Sequence, residues 1–403
     1  MTARFLDAFR GRSVLVTGHT GFKGSWLCIW LDRLGARVTG YSLPPPTEPS
    51  NFIASDVRRL VARHEEADIR DAVRLGEVMA RTRPEVVFHL AAQSLVRPSY
   101  AEPRRTLEVN VIGTAAVLDA VRACRQPCAV VVVTSDKCYE NQEQGWAYRE
   151  GDPLGGHDLY SASKGAAEIV AGAYRRSFFP PDRVSEHGVK LATARAGNVI
   201  GGGDWAKDRL LPDVVRSLAL GEAVALRSPR AVRPWQHVLE PLGGYLLLAA
   251  RLLESDDPTW CEAWNFGPMP GQEVAVAGLV DLFLAAWEAG EKGTVPICRN
   301  GPEDASHKWG LSPFPAGEGV GWRAASEPGQ PHEAGVLHLN IDKALCRLGW
   351  CPVWGPAEAV ARAARWYRQF YSGPSRSMLD ACRDDIDAYE QACAATATAE
   401  RIP

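Results

Sequence analysis

Residues 13–24 read SVLVTGHTGFKG, a β-branched run that leads directly into a glycine-rich loop. Gly18, Gly21 and Gly24 form a GxxGxxG pattern, and a helical pattern follows from about Ser25 to Leu34. Glycine permits the tight turn and lets a pyrophosphate approach the backbone at the N-terminus of a helix. The pattern alone is weak evidence, and a glycine-rich turn without a ligand is the alternative, but the flanking strand and helix favour a dinucleotide site.

Short apolar runs alternate with longer helical patterns on the C-terminal side of this loop. The runs are ARVTGYSL at 36–43, EVVFHLAA at 85–92, AVVVVTS at 129–135 and LATARAG at 191–197, with helical patterns near 71–80, 109–123 and 161–178. Strands that are apolar at nearly every position are buried on both faces, as in a parallel sheet covered by helices. We therefore predict an α/β fold with a doubly wound parallel sheet of the Rossmann type.

The second half of the chain predicts a smaller, mostly helical substrate-binding domain. Helical patterns recur at 211–221, 242–253 and 356–371, whereas residues 291–330 are rich in Gly and Pro and are predicted to form a long surface excursion. We assign residues 1–200, with 235–266 returning to them, to the dinucleotide-binding domain. Residues 201–234 and 267–375 are assigned to the substrate-binding domain, and residues 376–403 to a partly helical tail that frays.

Composition restricts the class of protein. The 403 residues are 46% hydrophobic with a net charge of -3, and the mixed charges provide no footprint for nucleic acid or an anionic membrane. Arg10 and Arg12 interrupt any signal-peptide core, and the apolar stretch 242–253 is too short to span a bilayer, so we expect a cytoplasmic protein. The ten cysteines form no CxxC or Cys/His cluster, so we predict neither a metal site nor a disulfide framework.

A tyrosine and a lysine at helical spacing provide the strongest chemical signal. Tyr160 and Lys164 in YSASK are four residues apart and would share one face of a helix. A lysine ammonium there would lower the pKa of the phenol from about 10 toward neutrality. Tyr160 could then remove a proton from a hydroxyl while a nicotinamide accepts hydride, with Ser135 holding the same hydroxyl. Taken alone, a surface pair at helical spacing is the alternative.

The order of these motifs resembles the extended short-chain dehydrogenase/reductase family over nearly the whole chain. The glycine loop, HLAA at 89–92, Asn110, Ser135 and the YxxxK pair appear in the family's order. The resemblance implies NAD as cofactor. The cofactor contacts that it implies are Gly18, Thr20, Gly21, Phe22, Gly24, Asp68, Ile69, Leu90, Ala91, Ala92, Asn110, Tyr160 and Lys164.

The cofactor segment departs from the simple dinucleotide fingerprint. The end of the second strand reads Gly40-Tyr41-Ser42, without the acid that usually bonds the adenosine ribose, so NAD rather than NADP is supported by the resemblance. Asp68 is expected to bond the adenine edge, with Ile69 packing on its face. His19 and Lys23 lie inside the loop and either face phosphate or are solvated.

Within the family, several segments look like the CDP-glucose 4,6-dehydratase branch. They are GHTGFKGSWL, AAQSLVRPSY, TSDKCYEN, GNVIGGGDW, RPWQHVLEPL and NFGP. This implies oxidation at sugar carbon 4, loss of water across carbons 5 and 6, and return of the hydride to carbon 6. Asp136 is the candidate general acid; Lys137 is the candidate base at carbon 5, a role that requires a lowered pKa or passes to another base. A solvated pair at the strand end is the alternative.

Candidate substrate residues follow several strand ends, where doubly wound sheets bind ligands. Asn198 matches the family asparagine that contacts phosphates, Arg233 is the preferred pyrophosphate clamp and Arg209 the second choice. Gln93, Ser94 and Arg97 are further candidates, with a plain loop surface as the alternative. Trp235 is expected to pack.

The segment GGHDL at 155–159 departs from the GGYDP of the branch. His157 therefore stands where a tyrosine is usual, and we interpret it as a residue of the pocket rim or the packing, with an extra active-site group as the alternative.

Two other functions use the same motifs. One is a 4-epimerase or decarboxylase of the same family, or a dehydratase for another nucleotide-linked glucose. The other is a non-catalytic dinucleotide-binding protein, since a fold does not imply a function. The resemblance also implies a homodimer through the helices near 109–123 and 161–178, and a place in deoxysugar biosynthesis.

Overall fold

The computed structural model describes residues 7–289, 321–325, 336–373 and 377–399. The predicted excursion at 291–330 therefore lies largely outside the described residues. Its described part contains the strand Trp322–Ala324, which pairs in parallel with Val224–Leu226.

A parallel sheet of seven strands forms the centre of the molecule. In chain order the strands are β1 (Ser13–Thr17), β2 (Arg37–Ser42), β3 (Arg63–Glu66), β4 (Val86–His89), β5 (Cys128–Val133), β6 (Val189–Ala196) and β7 (Ala263–Phe266). Their order across the sheet is β7-β6-β5-β4-β1-β2-β3. The strand order reverses at β1 and β4, the position where doubly wound sheets bind ligands. The predicted fold class is confirmed.

In the part of the chain that the structure describes, nine longer helices surround the sheet. They are α1 (Phe22–Arg33), α2 (Ala72–Thr82), α3 (Gly113–Cys124), α4 (Leu159–Ser177), α5 (Leu210–Leu220), α6 (Leu239–Glu254), α7 (Val276–Ala289), α8 (Pro356–Tyr371) and α9 (Met378–Ala399). A π-helical turn, Glu108–Ile112, leads into α3, and short helices lie at Asn51–Ala54, Val96–Ala101, Pro103–Leu107 and Val184–His187. Short strands at Val199–Ile200 and Gln236–His237 pair in parallel, and Val232–Arg233 pairs with Val274–Ala275.

The strands are apolar throughout because each face of the sheet packs on helices. Val14 and Val16 of β1 belong to one core cluster with residues of α1 and α6. Leu15 belongs to a second cluster with residues of α2 and α3. Successive side chains of a strand point to opposite faces, so both faces require apolar residues.

The C-terminal segment corrects one expectation. It was predicted to fray, but α9 is a packed helix in which Cys382, Ile386 and Tyr389 are fully buried. These side chains recur at the spacing of one helix face, which packs against α1 and α8. Glu390 also accepts hydrogen bonds from Trp30 and Arg33 of α1.

Within the described ranges, no helix combines the length and the apolar character that a membrane crossing requires.

Candidate active site

The first turn of α4 carries Tyr160, the predicted base, and is capped by Asp158. The Asp158 carboxylate accepts hydrogen bonds from the backbone N–H of Ser161 at 2.9 Å and from its hydroxyl at 2.7 Å. Such a cap satisfies a backbone donor that the first turn of a helix leaves unpaired. Tyr160 and Lys164 lie on the buried face of this helix. The Lys164 ammonium donates to the carbonyl of Val133 at 3.3 Å, which brings the helix against the end of β5.

Ser135, Asp136 and Lys137, here called the reactive triplet, follow the end of β5. The Ser135 hydroxyl donates to Oδ1 of Asp136 at 2.9 Å and accepts the backbone N–H of Lys137 at 3.2 Å. Asp136 is 3% exposed, and its Oδ2 has no hydrogen-bond partner among the described residues. Ser135 also hydrogen-bonds the Tyr160 phenol, so the structure brings the predicted catalytic residues together, with one buried oxygen of Asp136 left without a described partner.

Burial is the dominant influence on the Asp136 carboxyl. It raises the pKa of Asp136, although Lys137, Arg233 and Lys23 and the Ser135 hydrogen bond lower it. A carboxyl with a raised pKa keeps its proton at higher pH and can donate it to a leaving group.

The expectation for Tyr160 is wrong for the protein as it stands. Burial raises the pKa of Tyr160 to about 12, while the Ser135 hydroxyl and the Arg209 guanidinium lower it. The phenol was expected to approach neutrality through Lys164. Desolvation outweighs these favourable contacts, because burial penalises the phenolate. Burial also lowers the pKa of Lys164 to about 8.

The glycine loop fits a pyrophosphate. Gly18 has a φ of 76°, and a Cβ there would lie 2.8 Å from the Ala91 nitrogen; a Cβ on Gly24 would lie 2.1 Å from the Gly18 carbonyl oxygen. Helix α1 begins at Phe22 with no side-chain cap and no acidic residue in its first turn. Its first N–H groups are therefore suited to an anion.

The adenosine side of the predicted site differs from the sequence expectation. Thr20 lies 2.8 Å from the Ser42 hydroxyl and donates to the Leu43 carbonyl, so two hydroxyls stand where an acid is usual. Asp68 lies beyond β3, but its carboxylate accepts three guanidinium hydrogen bonds from Arg70, one at 2.7 Å and two at 3.1 Å. The predicted adenine contact of Asp68 would therefore be shared with Arg70. Ile69 is buried.

His19 and Lys23 were left open by the sequence; His19 is not a solvated loop residue, and Lys23 is half-buried in the first turn of α1. The imidazole of His19 is fully buried, lies 2.7 Å from the Nδ1 of His64 and fills the space over Gly40. The Lys23 ammonium donates to the Tyr245 hydroxyl at 3.4 Å. Desolvation, with a smaller effect of Arg209, lowers the pKa of Lys23 to about 7.

Asn110, predicted to bind the cofactor, links two parts of the site. Its amide accepts the backbone N–H of Gln93 at 2.8 Å and donates to the carbonyl of Gln93 and the hydroxyl of Ser163. Gln93, predicted to bind substrate, uses its own amide on Leu95 and Thr106. Both amides shape the loop that follows Leu90, Ala91 and Ala92, because buried polar groups must be satisfied.

The remaining substrate candidates converge from two loops. Arg209 donates to Asp204 at 2.9 Å and to the Ser94 hydroxyl at 3.1 Å. Arg97 pairs with Asp208 at 3.3 Å, which joins the same loops a second time.

Two further candidates, Asn198 and Arg233, are half-buried. The Asn198 carbonyl accepts the N–H of Gln236, and Arg233 lies close enough to Asp136 to lower its pKa. Trp235 is buried and donates to the Val274 carbonyl, so the packing interpretation is confirmed. His157 is exposed on the loop before α4, in keeping with a rim position.

Sequence reasoning missed a buried ion pair beside the catalytic helix. Glu168 lies four residues after Lys164 and pairs with Arg195 of β6 at 2.9 Å. The helical spacing from Lys164 was the available signal, but nothing in the sequence identifies Arg195 as its partner.

In the described part of the chain, no cluster of histidine, cysteine and acidic side chains could hold a metal ion, and the nine cysteines found there are free thiols.

Comparisons with known proteins agree with this geometry. The pattern of the NAD dependent epimerase/dehydratase family matches residues 14–263. The chain is 44% identical to the CDP-glucose 4,6-dehydratase of Salmonella typhimurium over 384 residues, which cover 95% of this chain and 98% of that protein. A crystal structure of the dTDP-glucose 4,6-dehydratase from Streptomyces venezuelae with NAD bound matches with a TM-score of 0.68 and 25% identity, covering 89% of this chain and 98% of that one. The UDP-glucose 4-epimerase from Thermotoga maritima shares the fold, with a TM-score of 0.67 and 21% identity over 89% of this chain and 99% of that one.

Proposed function

The chain belongs to the NAD dependent epimerase/dehydratase family, and on that premise we propose that it is a CDP-glucose 4,6-dehydratase. The observation that carries the proposal is the buried Asp136 carboxyl, which lies beside the Ser135, Tyr160 and Lys164 group with its Oδ2 unpaired among the described residues. Epimerisation at carbon 4 requires the Ser, Tyr and Lys groups alone, whereas dehydration also requires an acid for the hydroxyl that leaves carbon 6. The relative at 44% identity is named for this reaction.

The cofactor is NAD, held at the glycine loop and along the residues that follow β3 and β4. The residues proposed to hold it are Gly18, Thr20, Gly21, Phe22, Gly24, Asp68, Ile69, Leu90, Ala91, Ala92, Tyr160 and Lys164, with Asn110 supporting the loop. When bound, it supplies a hydride acceptor that is regenerated in each turnover.

Side chains of the protein carry out the proton transfers. Tyr160 removes the proton of the carbon 4 hydroxyl, which Ser135 orients by a hydrogen bond. Because burial raises the pKa of Tyr160 to about 12, this step needs positive charge near the phenol, and Arg209 provides part of it. Asp136 protonates the carbon 6 hydroxyl, which leaves as water, while Lys137 is the proposed base for the proton at carbon 5.

The pyrophosphate of the substrate is assigned to Asn198, Arg209 and Arg233. Arginine suits phosphate oxygens because its planar fork donates two hydrogen bonds. Ser94 and Arg97 would complete this side, since hydrogen bonds and ion pairs already join their loop to the one that carries Arg209.

The test is an assay of water loss. Purified protein with NAD is incubated separately with CDP-, dTDP-, UDP- and GDP-glucose, and each product is weighed by mass spectrometry. We expect loss of one water from CDP-glucose alone. Loss from another nucleotide would keep the mechanism and change the substrate, whereas isomeric products of unchanged mass would identify an epimerase.

We also propose a homodimer that works in deoxysugar biosynthesis in the cytoplasm. Four exposed large apolar side chains, Leu107, Ile112, Ile169 and Phe178, lie on or beside α3 and α4. An apolar surface of this kind favours a protein partner. Residues 1–200 with 235–266 are proposed as the cofactor domain, and residues 201–234 with 267–375 as the substrate domain.

A further inference from the structure

We propose that the buried ion pair of Glu168 and Arg195, here called the positioning pair, holds the reactive triplet at its working distance from Tyr160. This inference rests on the proposed function, because it assigns the pair a part in the same reaction. Neither residue reaches the reacting atoms, so both are positioning residues.

The pair joins the catalytic helix to the sheet. Glu168 lies four residues after Lys164 and eight after Tyr160, so the three side chains share one face of α4. Its carboxylate accepts hydrogen bonds from Arg195 at 2.9 Å, from Thr193 at 2.7 Å and from Thr134 at 2.5 Å. Side chains of α4, β6 and the end of β5 are therefore tied to one carboxylate.

The same pair is hydrogen-bonded to a residue on each side of the reactive triplet, and these two contacts, at Thr134 and Tyr139, are here called the bracket. Thr134, directly before the triplet, donates to Glu168. Tyr139 follows two residues after Lys137, and its hydroxyl accepts a hydrogen bond from Arg195 at 2.8 Å. Both ends of the six-residue segment 134–139 are thus bound to a pair whose acidic member lies on the Tyr160 helix.

Tyr139 and Arg195 are themselves held in place by further hydrogen bonds. The Tyr139 hydroxyl donates to Asn265 of β7 at 2.7 Å, and the Asn265 amide donates to the carbonyls of Tyr148 and Asn340. Arg195 additionally donates to the Glu150 carbonyl at 3.0 Å. The network therefore connects the triplet to the part of the chain that returns to the sheet after α7.

Stability alone does not account for such a pair. Glu168 and Arg195 are 3% and 4% exposed, and removing two charges from water costs free energy that their attraction offsets only with good geometry. Apolar residues of similar volume would fill the space at least as favourably. What apolar residues cannot supply is a set of directional bonds that fix three segments relative to one another.

The test replaces single hydroxyls in the full-length protein. Thr134→Val and Tyr139→Phe each release one end of the bracket, and Thr193→Val is the matched control. Thr193 also donates to Glu168, but its strand is paired with β5 on one side and β7 on the other, so it stays in place without that bond. For each variant the measurements are kcat and KM for water loss from CDP-glucose, NAD affinity and the thermal midpoint.

Release of the bracket should act on kcat. We expect each bracket variant to lose about tenfold in kcat, because small misplacements of catalytic groups cost up to two orders of magnitude. KM and NAD affinity should stay within about twofold of wild type, since ground-state binding is not altered. The control Thr193→Val should lower the thermal midpoint about as much as the two bracket variants do, but its kcat should stay within about twofold of wild type.

Two results would overturn the positioning role while the wild-type enzyme still dehydrates CDP-glucose. One is a loss of kcat that follows the thermal midpoint across all three variants, which identifies a purely structural pair. The other is an unchanged kcat in both bracket variants. A wild-type protein that releases no water from any sugar nucleotide would overturn the proposed function together with this inference.

Discussion

Asp136 lies among positive groups and still holds its proton more tightly than an ordinary aspartate. Lys137, Arg233 and Lys23 all lower its pKa, but burial has the larger opposite effect. A carboxyl whose pKa is raised by burial is better suited to act as an acid than an ordinary aspartate, and the nearby cations would stabilise the carboxylate left after proton transfer.

Replacing Asp136 by Asn tests this role directly. The amide keeps the shape of the side chain but cannot donate a proton to a leaving hydroxyl, so water loss should fall by at least about a hundredfold. NAD affinity and thermal midpoint should stay at wild-type values. The measurement is mass spectrometry of the product combined with NAD binding by fluorescence. Turnover that equals that of the wild type would return Asp136 to a structural role.

At the scale of one element, the cap of α4 sets the start of the catalytic helix. Asp158 binds both the N–H and the hydroxyl of Ser161, one residue beyond Tyr160. Local structure and chemistry are coupled here, because a frayed first turn would release the phenol from Ser135.

Asp158→Ala should lower the free energy of unfolding by about 1 kcal/mol, the usual cost of losing an N-cap. Asp158→Asn keeps an oxygen that can accept the Ser161 N–H and is the matched control. Urea denaturation of the three proteins measures the difference. Equal loss in both variants would mean that the charge of Asp158, rather than the cap, stabilises the helix.

A second element-scale feature is the buried Glu240 at the start of α6. Its carboxyl accepts hydrogen bonds from the N–H groups of Val353 and Trp354 at 3.0 and 2.7 Å and from the Tyr389 hydroxyl of α9 at 2.8 Å. Burial nevertheless raises the pKa of Glu240 to about 7. This one side chain therefore couples the docking of α9 to pH.

The sign of the pH effect follows from the raised pKa. The folded protein keeps a proton that the unfolded chain releases near pH 4.5, so the free energy of unfolding should fall as the pH rises from about 4.5 through about 7, by roughly 3 kcal/mol in all. Glu240→Gln is neutral at every pH and should lack this contribution. Urea denaturation at pH 5 and pH 8 compares the two proteins, and we expect the variant to gain relative stability at the higher pH. A difference that is independent of pH would contradict the assignment.

At the scale of the whole molecule, the exposed apolar side chains around α3 and α4 predict the oligomeric state. Ile112 and Ile169 are 61% and 58% exposed. Exposure of large aliphatic side chains to water is unfavourable in free energy, so neighbouring exposed residues of this kind favour a partner that covers them. A second copy of the chain is the proposed partner.

If the proposed dimer forms through this surface, the double change Ile112→Glu and Ile169→Glu should yield a monomer, because it places charges in the proposed interface. Val73→Glu on α2 is the control, since Val73 is 75% exposed and lies on a different helix. Sedimentation equilibrium measures the mass of each protein. A wild-type monomer, or a double variant that stays dimeric, would contradict this interface.

Local sequence patterns were enough to predict the fold class, and they also supplied the proposed catalytic residues. Apolar runs between helical patterns require a sheet buried on both faces, and the four-residue spacing of Tyr160 and Lys164 requires one face of a helix, so both results follow from local periodicity. The order of the motifs also led to the right family, and the reactive triplet was recognised from residues adjacent in the chain.

Features that depend on contacts between residues far apart in the chain could not be predicted from local patterns. The pKa of Tyr160 rises because the folded chain buries the phenol. The final helix packs because α1 and α8 supply a surface for its apolar face. Glu168 and Arg195 meet across 27 residues of chain, and no local pattern encodes that meeting. Periodicity is a property of neighbours in sequence, whereas desolvation and ion pairing depend on which segments the fold brings together.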